Sequence, residues 1–211
     1  MTRLLLIRHG LSITNKARMF TGQMNVSLAP LGYEQASKTA EYVAAQYKVD
    51  VIYASDLDRA CQTVQPLAER LGLPIHTCRD LREIDVGSWQ ARLVEEIGRE
   101  FPAEYAHYVN DPGTFHFERG ESFSALMERA MLALTRIAKE NDGKTVVIGT
   151  HGGVIRSLLA AWSGFGIKRI KEIPSVANCS ITVVECESGE MRPVQIAFAG
   201  HLADLDSKDK R

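Results

Sequence analysis

The chain alternates two kinds of segment: a short apolar run, then a longer stretch with apolar residues at helical spacing. The first run covers residues 3–8, where Leu4, Leu5, Leu6 and Ile7 lead straight into Arg8, His9 and Gly10. Comparable runs lie at 49–55, at 74–78 and at 144–150, the last reading KTVVIGT. Each is too short for a helix and suits a buried strand. Helical periodicity follows at about 30–47, 56–72, 120–141 and 152–164. Pro30 fits a first helical turn, Gly72 fits a C-terminal stop, and Pro66 predicts a kink or break. Residues 10–29 read as a loop, and 92–110 as helical without clear bounds. Residues 178–200 read as two strands about a Ser-Gly turn. Strand and helix in alternation predict an α/β fold, a largely parallel sheet covered on both faces, with the final pair adding an antiparallel member.

No linker, repeat or low-complexity tract divides the 211 residues, so one domain over 1–211 is expected, with about 201–211 a frayed, highly charged tail. A net charge of −1 supplies no global field for nucleic acid or anionic lipid. Anion binding must come from local arginine and histidine. The run at the start is too short for a signal peptide or a membrane span. Cys61, Cys78, Cys179 and Cys186 form no CxxC pair and read as reduced thiols of a cytoplasmic protein.

Ligands of open α/β sheets bind beyond the carboxyl ends of the strands. The first strand delivers Arg8, His9 and Gly10 there. The second delivers Ser55, with Arg59 one turn into the next helix. The third is followed by LREIDVGSW, containing Glu83 and Asp85, and the fourth by Thr150, His151, Gly152 and Gly153. Two arginines and two histidines at strand ends suit a phosphate, since guanidinium offers a planar fork to its oxygens. A carboxylate nearby can move a proton. A histidine can act as nucleophile and split phosphoryl transfer into two displacements. The glycines of THGG open a helix whose first N–H groups face an anion. Ser55 or Asp56 can cap the helix that carries Arg59. Gly143-Lys144-Thr145 is no P-loop, because Ala138 stands where its first glycine would be and a strand follows.

The segments LIRHG, SDLDRACQT, LREIDVGSW and THGG, with RGES at 119–122 and ANCSITVVE at 177–185, resemble the histidine phosphatase superfamily, the phosphoglycerate mutase-like proteins. The resemblance runs from about residue 3 to about residue 186. It implies a three-layer α/β/α sandwich with one antiparallel strand, and a metal-independent phosphatase without cofactor. His9 would be the phosphohistidine nucleophile, with Arg8, Arg59 and His151 holding the phosphate. Glu83 would protonate the leaving oxygen and then activate water, Asp85 being the nearest substitute. Asn15, Thr21 and Gly22 match positions that line the family's pocket. Leu11-Ser12, Gln23, Asn25 and the stretch SWQAR depart from frequent family residues.

The acid-bearing stretch reads LREIDVGSWQ, and no obvious insertion separates Trp89 from Gly120. Both resemble the phosphatase branch, which includes α-ribazole and broad-specificity phosphatases acting on small phosphorylated metabolites. A cofactor-dependent phosphoglycerate mutase is the alternative. A non-catalytic phospho-ligand module is a third reading. The fourth is a metal-dependent hydrolase using His9, His151 and Glu83, which two arginines in the same pocket disfavour. Gln23, Phe115, Phe117 and residues 92–118 are expected to shape specificity.

Overall fold

A computed structural model describes residues 1–206. Six strands form one mixed sheet: β1 (Thr2–Arg8), β2 (Val51–Ala54), β3 (Ile75–Thr77), β4 (Thr145–Thr150), β5 (Ile181–Glu187) and β6 (Glu190–Phe198), in the order β3-β2-β4-β1-β5-β6. β1 runs parallel to β4, β2 to β4 and β3 to β2. β5 is antiparallel to both of its neighbours and is the one reversed strand. The alternation of the pleat divides β1 between two cores. Leu4 and Leu6 enter one with Val146 and Ile148, and Leu5 and Ile7 enter the other with Val147 and Ile52. A strand buried on both faces has to be apolar throughout, which is what an LLLI run supplies.

Helices α2 (Pro30–Gln46) and α3 (Asp58–Leu71) cover one face through Ala40, Val43, Val64 and Leu67. Helices α6 (Phe123–Glu140) and α7 (Gly152–Trp162) cover the other through Leu126, Leu134, Ile155 and Leu158. The expected three-layer sandwich is present. No helix among the described residues is long and apolar enough to cross a membrane.

Several local expectations are corrected. Residues 10–29 contain the short helix α1 (Ile13–Lys16), closed by a reciprocal capping pair between Ser12 and Asn15. Residues 92–110 divide into α4 (Val94–Glu100) and α5 (Pro102–Asn110), because Pro102 starts a new helix rather than continuing the old one. Helix α3 is not broken at Pro66: its buried face, from Arg59 to Ala68, holds both halves against the sheet. Neither Ser55 nor Asp56 caps α3. The Asp56 carboxylate takes both forks of Arg82 at 2.6 Å, and the Asp58 N–H donates instead to Oδ1 of the distant Asn25 at 2.8 Å. The predicted frayed tail is ordered over its first part. Residues 200–202 form a helical turn, followed by α8 (Ala203–Asp206), and Leu202 and Leu205 are buried with Cys179. Residues 207–211 of that predicted tail lie outside the described residues.

Candidate active site

A cleft of about 330 Å³ opens beyond the carboxyl ends of β1, β2 and β4. Arg8, His9, Asn15, Thr21, Gly22, Arg59 and Glu83 line it, and His151 stands behind His9 with ring centres 5.2 Å apart. The eight residues expected to carry the reaction or hold the phosphate thus converge on one place.

His9 leaves β1 with its N–H on the Thr150 carbonyl at 2.9 Å. Its own carbonyl accepts from Asn178 Nδ2 at 2.8 Å. Nδ1 lies 2.8 Å from the Gly10 carbonyl oxygen. A carbonyl can only accept, so Nδ1 carries the proton and Nε2 keeps the lone pair. Burial, then Arg59 and Arg8, holds the His9 pKa well below the ordinary histidine range. The ring is therefore neutral at physiological pH, with a free nucleophilic nitrogen.

Gly10 is required by a close approach. A Cβ there would lie 2.6 Å from the Gly32 carbonyl oxygen, and a Cβ on Gly32 would lie 2.2 Å from that of Leu11. The first turn of α2 presses on the loop that follows His9, with no room for a side chain on either partner. The Gly10 N–H donates to Thr63 Oγ1 at 2.9 Å, which fixes the acceptor for Nδ1.

The cations are held differently from one another. Arg59 is 1% exposed, and it gives Nη2 to the Gly22 carbonyl and Nη1 to that of Met24, each at 2.8 Å. Part of its fork thus fastens the loop bearing Thr21 and Gly22. Burial lowers its pKa to about 10, still leaving it charged. Arg8 donates Nη1 to the Val176 carbonyl, and its buried Nε has no partner among the described residues. Both ring nitrogens of fully buried His151 are likewise unpartnered, and burial and Arg59 hold that ring neutral too. Buried polar groups without partners are rare, and these lie beside the cleft.

Glu83 is fixed by two backbone donors, Ile84 N–H on Oε1 at 2.9 Å and Gly153 N–H on Oε2 at 3.1 Å. The start of α7 therefore binds the protein's own carboxylate as its anion. Gly153 is needed for this, since a Cβ there would sit 2.3 Å from Oε1. Asp85 does not line the cleft. Its Oδ1 takes the Gly87 N–H at 3.0 Å and shapes the turn instead.

Buried neutral histidines, arginine forks and a tethered carboxylate at strand ends agree with the chain's likeness to known proteins. The sequence profile of the histidine phosphatase superfamily, branch 1, matches residues 4–198. The chain belongs to the histidine phosphatase superfamily. It is 32% identical over 200 residues to phosphoglycerate mutase-like protein 4 of Arabidopsis thaliana, covering 92% of this chain and 83% of that one. It is 28% identical to phosphoserine phosphatase 1 of Hydrogenobacter thermophilus, covering 97% and 96%. The solved structure of Bacillus stearothermophilus YhfR superposes with a TM-score of 0.91 at 28% identity, covering 96% of this chain and 100% of that one.

Three residues expected to shape specificity in this histidine phosphatase lie outside the cleft lining. Gln23 donates to the Glu83 carbonyl at 3.2 Å. Phe115 and Phe117 are buried in an aromatic cluster with Trp89 and Tyr108. Of residues 92–118, Val94 and Tyr108 reach the cleft.

Sequence reasoning missed Arg156, one turn along α7 from Gly153, which also lines the cleft. It also missed Arg129 of α6. Arg129 makes five hydrogen bonds of 2.7–2.9 Å, two to the Glu121 carboxylate and one each to the carbonyls of Asp80, Arg82 and Glu83. Glu121 in turn accepts the Asp85 N–H at 2.9 Å. This pair holds the loop that presents Glu83. The RGES segment was the available signal, because its Glu121 needs a cation eight residues on.

Proposed function

We propose that this single-domain chain hydrolyses a phosphomonoester of a small metabolite through a phosphohistidine on Nε2 of His9. The observation that carries the reading is the His9 tautomer: Nδ1–H is bound to the Gly10 carbonyl, and a neutral ring is held among arginines. Nε2 attacks phosphorus as the ester oxygen leaves, and Glu83 gives that oxygen its proton. Arg8, Arg59 and His151 neutralise the charge on the transferring oxygens. Deprotonated Glu83 then takes a proton from water, which attacks the phosphohistidine and releases phosphate and free His9. Asn15, Thr21 and Gly22 border the phosphate end of the cleft. Hydrolysis rather than isomerisation is supported by the phosphoserine phosphatase among the similar chains, matched over nearly its full length.

The test is rapid quenching with a radiolabelled phosphomonoester in EDTA. An acid-labile, base-stable label should form and turn over in the wild-type chain and be absent from His9→Ala. A stable hydrolytic rate in His9→Ala would refute the reading.

A further inference from the structure

We propose that Asn178 positions the nucleophile: its side-chain amide, together with Thr63, holds the peptide plane between His9 and Gly10 in the orientation that keeps Nε2 of His9 unprotonated. This rests on the phosphatase reading above and adds a residue that acts through His9 without touching the ester.

β1 meets the chain entering β5 through an irregular pairing. The Arg8 N–H donates to the Ser180 carbonyl at 3.2 Å, and the Arg8 carbonyl accepts from the Cys179 N–H at 2.9 Å. Two residues thus face one, as in a bulge, a feature that terminates pairing beside active sites. The Ser180 N–H closes a turn on the Ala177 carbonyl at 3.1 Å, and Cys179 within it has a φ of 54°. That conformation is uncommon outside glycine and gathers at functional sites. The regular ladder ends there, and the donor to the His9 carbonyl is a side chain, Asn178 Nδ2 at 2.8 Å.

The same peptide unit is held at its other polar atom. The Gly10 N–H donates to Thr63 Oγ1 at 2.9 Å, and Thr63 Oγ1 donates to the Arg59 carbonyl at 2.6 Å. Neither Asn178 nor Thr63 lines the cleft, so what they grip is the plane itself. Rotation of this plane changes ψ of His9 and displaces Gly10, whose carbonyl lies 2.8 Å from Nδ1. Without that acceptor the ring can carry its proton on Nε2 instead, and a protonated Nε2 has no lone pair to attack phosphorus. The turn that presents Asn178 is braced from behind. Cys179 is fully buried against Leu202 and Leu205, with Leu31 of α2 packed on them. The helical turns after β6 thus back the clamp.

The experiment uses Asn178→Leu, close in shape and lacking the donor, and Asn178→Ser, too short to reach, which serves if the leucine variant fails to fold. Single-turnover phosphorylation of His9 by p-nitrophenyl phosphate should slow about ten- to a hundredfold, since a misplacement near 1 Å costs on the order of 10²-fold. The inhibition constant of inorganic phosphate should stay close to wild type, because Arg8, Arg59 and His151 still hold the anion. Nitrogen-15 NMR of the His9 ring should show Nδ1–H in the wild type and a share of Nε2–H in the variants, a signature that lost stability alone would not give. Thr63→Val should give the same signature, and the double variant should be little slower than the slower single one, because both bonds hold one plane. Wild-type phosphorylation rates and an unchanged tautomer in the Asn178 variants would overturn the proposal. So would equal falls in phosphorylation rate and phosphate affinity, or losses that multiply in the double variant. A wild-type chain that never forms phosphohistidine sinks the phosphatase reading, whereas the ring spectra judge Asn178 without turnover.

Discussion

Gly153→Ala tests the acid without altering any ionisable group. The added Cβ would lie 2.3 Å from Glu83 Oε1, where real Cβ atoms stay beyond 3.0 Å. The carboxylate must withdraw by about 0.7 Å or more, and it cannot do so freely. Oε1 is tied to the Ile84 N–H and Oε2 to the Gly153 N–H, so withdrawal weakens at least one charge-assisted bond. A displacement near 1 Å costs on the order of 10²-fold in rate, within the ~10²–10⁴-fold that a general acid contributes. The loss should depend on the leaving group. An alkyl phosphate needs a proton on its departing oxygen, whereas p-nitrophenolate leaves without one. Steady-state kinetics should show kcat/KM falling about 10²-fold for glycerol 3-phosphate and much less for p-nitrophenyl phosphate. The aryl ester should also give a burst of nitrophenolate, because the misplaced Glu83 slows the water step that follows. Alanine is the better helix former by about 1 kcal/mol, so backbone propensity gives no reason for unfolding. Equal losses on both esters, or none on the alkyl ester, would refute the placement of Glu83 as the acid.

Arg129→Met removes five hydrogen bonds and leaves Glu121 without its cation. The variant should lose about 3 kcal/mol in urea unfolding, and its rate profile should resemble that of Gly153→Ala; full activity would show that the Glu83 loop holds itself. Stability should also depend on pH in a fixed direction. His9 and His151 have folded pKa values depressed below the unfolded value, so the unfolded chain protonates first. Their stabilising contribution is complete above about pH 6.5 and is lost as pH falls, with a slope of up to about 1.4 kcal/mol per pH unit each. Half-buried His201 acts in the same sense. Urea titrations from pH 7 to 5.5 should show the decline, reduced in His151→Asn, and a flat profile would contradict the neutral buried rings.

Much of this was legible in the sequence because strand burial and strand ends leave local marks. The LLLI run announced a strand buried on both faces, and RHG and THGG announced its functional end. What was hidden depends on contacts between distant segments. Nothing near Asp58 signals that Asn25 caps its helix. Arg156 sits in an ordinary helical stretch, and its place in the cleft follows only once α7 is set beside β1. Phe115 and Phe117 were expected at the substrate because of their position after α5, but aromatic residues there bury against Trp89 instead. The charged end misled in the other direction, because Leu202 and Leu205 are spaced to bury one face of a short helical turn despite the polar residues around them.

The sheet order carries a consequence for how the protein is made. Among the described residues the strands paired with β1 are β4 (Thr145–Thr150) and β5 (Ile181–Glu187), both far along the chain. At 5–20 residues per second on a ribosome, roughly 10–40 s separate synthesis of Leu4 from that of its last partner. For that interval the LLLI strand, with its backbone donors and acceptors unpaired, has no native place to go. His9 is translated well before the strands that flank its own. A chain halted after α6 holds His9, Arg59 and Glu83 but lacks β4 and β5, so the strand leading to His9 is flanked only by pairing over long sequence separations, the kind of contact that slows folding.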